Sequence, residues 1–252
     1  MQRNAVVIRH SPVETLGSNF TSVLTERGFE LKEVNLFDHA PAYDRFAAPP
    51  LDAAKVVIAL GGPMSVNDKL PALEVEQEYI REAVASEVPV FGVCLGAQLM
   101  AAALGGRVEP TGGFQFGLRK IEVTAEGSAD PVFGKIRVPL VPTLHGDHFI
   151  LPPGAVPMAG GHMLCRDGSY LKINMAYRYG SCYGFQFEPQ LTLEELVVWD
   201  REMYDCYGLM GDAFDPARES ERNLREFTGF DPLYQTQMRA MFEAFLDQAS
   251  GP

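Results

Sequence analysis

Short apolar segments alternate with amphipathic segments through the first hundred residues, and this alternation constrains the fold more than any other feature of the sequence. The apolar segments have the length and β-branched content of buried strands, and the segments between them have helical spacing. Strands are predicted over 5–10, 31–37, 54–60 and 88–93, and helices over 18–28, 73–87 and 97–104. Such alternation is typical of a parallel sheet covered by helices on both faces. We therefore predict an α/β fold, doubly wound, with a mostly parallel sheet.

The rest of the chain divides into a strand-rich middle and a helical end. Three segments of the middle have strand patterns: 118–124, 165–180 and 182–187. From Thr192 onward the apolar residues follow helical spacing, and the sequence contains no internal repeat, low-complexity tract or linker. We predict a single domain over 1–252, in which 192–252 is a helical extension packed on the remainder. The apolar residues predicted to make that packing are Met203, Tyr207, Met210, Phe242 and Phe245.

Composition excludes several classes of function. The formal net charge of −12 argues against a nucleic-acid partner, because no local basic patch offsets it. No apolar run is long enough for a membrane span, and the first residues lack the pattern of a signal peptide. The four cysteines show neither C-x-x-C spacing nor a metal-finger pattern. We expect a cytoplasmic protein with reduced thiols and no metal or cofactor, and the terminal helices leave self-association open.

The stretch Gly92-Val93-Cys94-Leu95-Gly96 has the pattern of a nucleophile elbow. An elbow requires a strand, a sharp turn and a helix, with small residues on both sides of the nucleophile. The helix start favours a thiolate, and its free N–H groups can receive a developing oxyanion. The alternative is that Cys94 is a small buried apolar residue at the end of a strand.

Two other segments carry candidate site residues. Gly61 and Gly62 follow a predicted strand, so their N–H groups could supply a second part of an oxyanion site; a plain strand-terminating turn is the alternative. Segment 143–155 is predicted as a loop and concentrates His145, Asp147 and His148. Here the alternative is a surface loop with two incidental histidines.

Four blocks in this order resemble the class I glutamine amidotransferases: GGPMSV, GVCLGAQ, LHGDHF and YGFQFEPQLT. They lie within about residues 50–195, and the likeness is greatest to stand-alone members similar to the amidotransferase half of GMP synthase. The resemblance implies the α/β fold of that family. It also implies a mechanism in which the cysteine attacks the side-chain amide of glutamine, ammonia leaves, and water hydrolyses the glutamyl thioester.

The resemblance also implies roles for individual residues. Cys94 would be the nucleophile. The oxyanion would be bound by N–H groups of Gly61, Gly62 and Leu95, and the substrate would be contacted by Gln98, Gly146 and Asp147. Segment 112–120 takes the place of a further substrate-facing segment of the family.

The family's catalytic base is missing from the matching position. The family has a His-x-Glu pair after a Gln-Phe dipeptide, whereas here Glu188 takes the histidine position and Gln190 the glutamate position. Moving a proton from a thiol to an unperturbed glutamate would cost about 5–6 kcal/mol, because their pKa values differ by about 4. Two hypotheses remain. Either His145 or His148 acts as a substitute base, or burial raises the pKa of Glu188 until it shares a proton with the sulfur.

Three functional interpretations follow. The first is a glutamine amidotransferase or glutaminase with an altered triad that supplies ammonia. The second is a binding or regulatory protein that keeps the fold without the chemistry, and the third is a cysteine hydrolase or redox-responsive protein acting on another substrate. The sequence contains no pyrophosphate loop and no G-x-x-x-x-G-K-[ST] motif, so a synthase that activates the acceptor would be a separate chain.

Overall fold

The computed structural model describes residues 3–249. The strands are β1 Arg3–Arg9, β2 Phe29–Asn35, β3 Ala54–Ala59, β4 Val90–Val93, β5 Arg107–Lys120, β6 Glu122–Val123, β7 Leu140–Ile150, β8 Val156–Leu164, β9 Tyr170–Tyr179 and β10 Cys182–Phe185. The α-helices are α1 Gly17–Glu26, α2 Pro71–Ala85, α3 Leu95–Ala103, α4 Ala125–Ala129, α5 Leu193–Glu202 and α6 Pro216–Ala249. Short 3₁₀ helices span Leu36–His39, Leu51–Ala53, Val66–Asp68, Phe133–Lys135 and Tyr204–Met210.

The main sheet has the strand order β2-β1-β3-β4-β10-β9-β8-β6. Its pairs from β2 to β10 are parallel, and the pairs from β10 to β6 are antiparallel. Residues 5–8 of β1 and 56–59 of β3 are buried without alternation, because helices cover both faces of the parallel half. The predicted α/β fold with a mostly parallel sheet is confirmed, since the predicted strands of the first hundred residues all enter that half.

The prediction of a loop over 143–155 is wrong for residues 143–150. Residues up to Ile150 belong to β7, which pairs with β5 in a separate two-stranded antiparallel sheet. The polar, glycine-containing sequence HGDH resembles a loop, but pairing with β5 satisfies its backbone groups. Strand β8 was not predicted either, because Pro157, Gly160 and Gly161 interrupt its pattern.

An irregularity in the β5–β7 pairing changes the direction of the chain beside the site. Gln115 lies opposite His145, whereas Pro110 lies opposite Asp147, so four residues of β5 face the single Gly146 of β7. A bulge of this kind bends its strand and re-aims side chains. Phe114, within the bulge, consequently points toward the pocket described below.

The helical extension packs on the sheet through aromatic side chains. Phe242 of α6 stacks on Phe20 of α1 with ring centroids 4.0 Å apart, and one apolar cluster contains side chains of both the sheet and α6. Of the five residues predicted to make this packing, all but Met203 are buried. The single-domain organisation stays a prediction, and residues 250–252 of the predicted extension lie outside the described chain.

Candidate active site

Cys94 occupies a strained turn between β4 and α3. Its backbone has φ 47° and ψ −108°, which is unfavourable for a residue with a side chain. A Cβ atom at Gly96 would overlap the carbonyl of Ala59, and one at Gly92 would lie 2.9 Å from the backbone nitrogen of Ala97. The strand, the sharp turn and the helix therefore require glycine on both sides of the cysteine, as the elbow pattern predicts.

The Gly61–Gly62 turn packs directly against this elbow. A Cβ at Gly61 would lie 3.3 Å from Cys94 Cβ, and one at Gly62 would lie 3.0 Å from Leu95 Cδ2. No backbone hydrogen bond in the described chain uses the N–H groups of these two glycines. The Leu95 N–H hydrogen-bonds the thiol and favours its charged form. The structure thus brings the three predicted oxyanion residues to the sulfur from two sides.

A buried pair of His10 and Glu76 lies behind the glycine turn, and no motif in the sequence indicates it. His10 Nε2 lies 2.8 Å from Glu76 Oε2, and His10 Nδ1 lies 3.2 Å from the carbonyl oxygen of Gly61. Burial acts to lower the pKa of His10, but Glu76 and the backbone carbonyls outweigh it, so the pKa is raised. The ring bridges the Glu76 carboxylate and the Gly61 carbonyl and so holds the turn in place. Neither residue belongs to a recognisable motif, since His10 directly follows β1 and Glu76 lies within α2.

Glu188 is buried beside Cys94, three residues after the end of β10. Its backbone N–H donates to the carbonyl of Pro142 at 3.0 Å, and its own carbonyl accepts from the hydroxyl of Tyr234 at 2.7 Å. Gln190 Nε2 donates to the Glu188 carboxylate at 3.0 Å. Burial raises the pKa of Glu188 to about 7, partly offset by hydrogen bonds from Gln190 and Cys94. Glu188 therefore titrates near neutral pH, within reach of the thiol.

The thiol of Cys94 is held in its neutral form. Burial raises its pKa well above the ordinary value, and the charges of Glu188 and Glu14 raise it further. Gln186 Nε2 and the carbonyl oxygen of Leu144 each lie 3.7 Å from the sulfur. The N–H of Leu95 opposes these effects but does not outweigh them.

Glu14 is a second buried carboxyl at this site that the sequence did not reveal. It lies between β1 and α1, has 6% of its surface exposed and lines the same pocket as Cys94. Burial raises its pKa well above the ordinary value, and the charge of Glu188 raises it further. A single glutamate in a connecting segment looks the same in sequence whether it is solvated or buried. Only the tertiary fold places it beside the cysteine.

Cys94 opens into a pocket of about 340 Å³. Its walls come from the β1–α1 segment, the glycine turn, the elbow, β5, β7 and the extension. The lining residues are Ser11, Glu14, Gly62, Pro63, Met64, Ser65, Cys94, Leu95, Gln98, Phe114, Leu144, His145, Gly146, Asp147, Met203, Cys206 and Leu209. Met203, predicted to make only packing contacts, is thus part of a pocket wall.

The predicted substrate-contacting residues meet in this pocket. Gln98 Nε2 donates to the carbonyl of Asp147 at 3.1 Å, and the hydroxyl of Ser65 donates to the Asp147 carboxylate at 2.7 Å. Gly146 lies beside Phe114: a Cβ added at Gly146 would lie 3.1 Å from Phe114 Cδ2, which is a tight contact. Gln98, Gly146 and Asp147 therefore share one wall.

The two histidines considered as substitute bases lie in different places. His145 lines the pocket; its Nδ1 lies 3.0 Å from the carbonyl of Asp147, and its Nε2 has no hydrogen-bond partner among residues 3–249. Burial lowers its pKa to about 4, which makes it a weak base. His148 points to the opposite face of β7 and does not line the pocket. Burial also lowers the pKa of His148.

Within residues 3–249, no group of three or more His, Cys, Asp or Glu side chains is arranged to hold a metal ion. None of the helices in the same range is both long enough and apolar enough to cross a membrane.

Comparisons with known proteins agree with this architecture. Solved structures similar to the chain include a glutamine amido transferase from Methylobacillus flagellatus, with a TM-score of 0.82 and 24% identity over 98% of this chain and 95% of that chain. Another is a glutamine amidotransferase from Thermotoga maritima, with a TM-score of 0.78 and 22% identity over the whole of both chains. At these identities the likeness shows the fold.

Relatives in sequence include GMP synthases described as glutamine-hydrolyzing. The protein from Phenylobacterium zucineum is 30% identical over 209 residues, which are 81% of this chain and 37% of that protein. The protein from Xanthomonas axonopodis pv. citri is 31% identical over 86% of this chain and 41% of its own length. The chain thus spans about two fifths of these relatives. The model of the family "Glutamine amidotransferase class-I" matches residues 14–196, and the chain belongs to that family.

Proposed function

We propose that this protein hydrolyses the side-chain amide of glutamine and releases ammonia, with Cys94 as the nucleophile. One observation carries the proposal: the thiol stands on a strained turn between two sets of backbone N–H groups, in contact with a carboxyl whose pKa is about 7. A cysteine that served only as a small core residue would need neither the strain nor the glycines around it.

The proposed reaction begins with transfer of the thiol proton to Glu188. The sulfur then forms a bond to the amide carbon, and the N–H groups of Leu95 and the Gly61–Gly62 turn bind the resulting oxyanion. The C–N bond breaks, the proton returns to the nitrogen, and ammonia leaves. Water then attacks the thioester, which releases glutamate and restores the thiol.

Glu188 is a better candidate base than His145, and it hydrogen-bonds the Cys94 thiol. Its pKa of about 7 lies closer to that of a thiol than the pKa of about 4 for His145. Each unit of pKa difference costs about 1.4 kcal/mol in the proton transfer. Gln190 fits the role of a positioning residue, because its amide N–H holds one carboxylate oxygen of Glu188.

The ammonia acceptor is proposed to belong to a separate chain in the cytoplasm. The part of the two related GMP synthases that this chain matches is 37–41% of their length. In this proposal the protein supplies ammonia to a synthase subunit that activates the acceptor.

The test is ammonia release from glutamine by the purified protein, with Cys94→Ala as the control. In parallel, mass spectrometry would follow covalent capture of Cys94 by 6-diazo-5-oxo-L-norleucine, a glutamine-like electrophile. Turnover that depends on Cys94 supports the proposal. Capture without turnover favours a cysteine hydrolase for another substrate, and neither capture nor turnover favours the binding-protein interpretation.

A further inference from the structure

The peptide group between Gly61 and Gly62 is held from one side and free on the other. Its carbonyl oxygen, which belongs to Gly61, lies 3.2 Å from His10 Nδ1, and its N–H belongs to Gly62. The peptide is trans, so its carbonyl and its N–H point in opposite directions. His10 is fully buried and does not line the pocket, whereas Gly62 does. The N–H of Gly62 is therefore directed away from His10, toward the pocket side of the turn.

The two glycines give this peptide little preference for one direction over the other. Because neither residue has a Cβ, rotation about the flanking bonds can exchange the positions of the carbonyl and the N–H. The site requires glycine here, since a Cβ at Gly62 would lie 2.4 Å from His10 Cβ and one at Gly61 would overlap Glu14 Oε2. Within residues 3–249, no backbone N–H donates to the Gly61 carbonyl. The direction of the peptide therefore depends on the hydrogen bond from His10.

His10 and Glu76 together keep a hydrogen on Nδ1. This nitrogen faces a carbonyl oxygen, which can only accept, so Nδ1 is the donor. Nε2 lies 2.8 Å from Glu76 Oε2, and a contact this short needs one hydrogen between the two atoms. Both conditions hold whether that second hydrogen belongs to the ring or to the carboxyl. Both side chains are 0% exposed, so water does not compete for either contact.

We propose that His10 and Glu76 are positioning residues for the oxyanion site. Glu76 orients the imidazole, and the Nδ1–H of His10 holds the Gly61 carbonyl so that the Gly62 N–H faces the oxyanion. Donation to the carbonyl also polarises the peptide and strengthens its N–H as a donor. The pair acts through this one peptide group and contacts no reacting atom. The inference rests on the proposed hydrolysis at Cys94 and names residues outside the pocket on which that hydrolysis depends.

Two double variants that differ in a single hydrogen-bonding group provide the test. His10→Leu with Glu76→Leu removes the whole pair. His10→Asn with Glu76→Leu keeps a donor for the Gly61 carbonyl, because the amide nitrogen of asparagine takes the place of Nδ1. In both variants Glu76 is replaced by an apolar residue, so that no buried carboxylate is left without its partner. Leucine and asparagine have similar shapes, and urea denaturation shows whether the two variants are equally stable.

The first measurement is the rate of ammonia release from glutamine. We expect kcat of the double leucine variant to be about 100-fold below that of the variant that keeps the amide, as after removal of one oxyanion donor. KM should differ by less than about threefold, because the oxyanion exists only in the transition state. The variant that keeps the amide should retain kcat within about tenfold of wild type. Equal kcat values in the two variants, or losses that follow the urea midpoint, would overturn the inference.

The second measurement is the direction of the Gly61 carbonyl in crystal structures of the wild type and both variants, which needs no turnover. The carbonyl should face position 10 in the wild type and in the variant that keeps the amide. In the double leucine variant it should be reversed, toward the pocket, and an unchanged direction there would overturn the inference. If the wild type releases no ammonia, the proposed hydrolysis fails, and the carbonyl direction still decides whether His10 positions the peptide.

A third measurement uses the wild type alone, in case the double leucine variant does not fold. Nuclear magnetic resonance of the protein labelled with ¹⁵N-histidine shows which ring nitrogen of each histidine carries a hydrogen. The His10 signals are assigned by their loss in the variant that keeps the amide. We expect Nδ1 of His10 to carry a hydrogen at neutral pH, and an Nδ1 without one would overturn the inference.

Discussion

In the proposed reaction, single residues around Cys94 set the pH range in which ammonia can be released. The thiol can lose its proton to Glu188 only when that carboxyl is ionised, and its pKa is about 7. We therefore expect kcat/KM for ammonia release to rise as the pH increases through about 7. Glu188→Gln should lower kcat/KM by about 100-fold or more and remove the inflection, because the amide cannot accept the proton. A pH series of initial rates measures both effects.

The alternative base, His145, would give a different pH profile of ammonia release. If His145 were the base, the inflection would lie near its pKa of about 4 and would persist in Glu188→Gln. It would disappear in His145→Asn. A pH series of initial rates on Glu188→Gln and His145→Asn therefore shows which of the two residues is the base.

Some residues of this site could be predicted from the sequence, and others could not. Cys94 and the glycines on both sides of it could be predicted, because a sharp turn leaves a local pattern of small residues. Glu14 and the His10–Glu76 pair could not, because the fold brings them to the site from segments whose local patterns are ordinary. The raised pKa of Glu188 is likewise a property of burial, which the surrounding elements provide.

At the scale of elements, the contact between β3 and the start of α3 tolerates only glycine at position 96. A methyl group there would overlap the carbonyl of Ala59. We expect Gly96→Ala to lower the free energy of unfolding by about 2–3 kcal/mol, as overpacking does, and to displace the elbow. Gly229→Ala is the matched control, since nothing lies within 4 Å of its added carbon in α6. It should raise the free energy of unfolding by about 0.5–1 kcal/mol. Urea denaturation of both variants measures the difference.

Helix α6 is held on the molecule by aromatic contacts. Phe242 is fully buried and packs on Phe20 and on Phe91 of β4. Phe242→Ala should therefore lower the free energy of unfolding by about 3–5 kcal/mol. Leu233→Ala, at a position of the same helix with 47% exposure, should change it by less than about 0.5 kcal/mol. Equal losses in the two variants would show that α6 is not anchored by this cluster.

Elements differed in how well the sequence predicted them. The parallel strands β1, β3 and β4 could be predicted because burial on both faces demands unbroken apolar runs. Strands β7 and β8 could not, because they contain polar residues, glycine or proline and depend on distant partners for their hydrogen bonds. The pocket wall formed by β7 was therefore expected as a loop.

For the whole molecule, buried titratable groups predict a loss of stability at alkaline pH. The pKa values of His10, Glu14 and Glu188 are all raised by folding. A raised pKa means that the stability it provides is complete below the unfolded pKa and is lost as the pH rises through the folded pKa. Above about pH 6.5, the unfolded value for histidine, all three groups act in the same direction. We expect the urea midpoint to fall between pH 6.5 and 8.5.

Variants of buried and exposed glutamates provide the controls for this prediction. Glu14→Gln and Glu188→Gln should each flatten the decline, because each removes one group whose ionisation opposes folding. The exposed variant Glu109→Gln should leave it unchanged. The lowered pKa of His145 acts in the opposite direction, but only as the pH falls below about 6.5, so it does not affect this window. A midpoint that rises from pH 6.5 to 8.5 would contradict the prediction.

The short helix Tyr204–Met210 places Cys206 and Leu209 in the pocket wall, while the elbow and the glycine turn come from the first hundred residues. The elbow and part of the pocket wall are therefore encoded in separate stretches of the gene. Substitutions confined to the later stretch can change the shape of the pocket without altering Cys94. Under the proposed function, such substitutions would change which amides fit the pocket while the nucleophile stays the same.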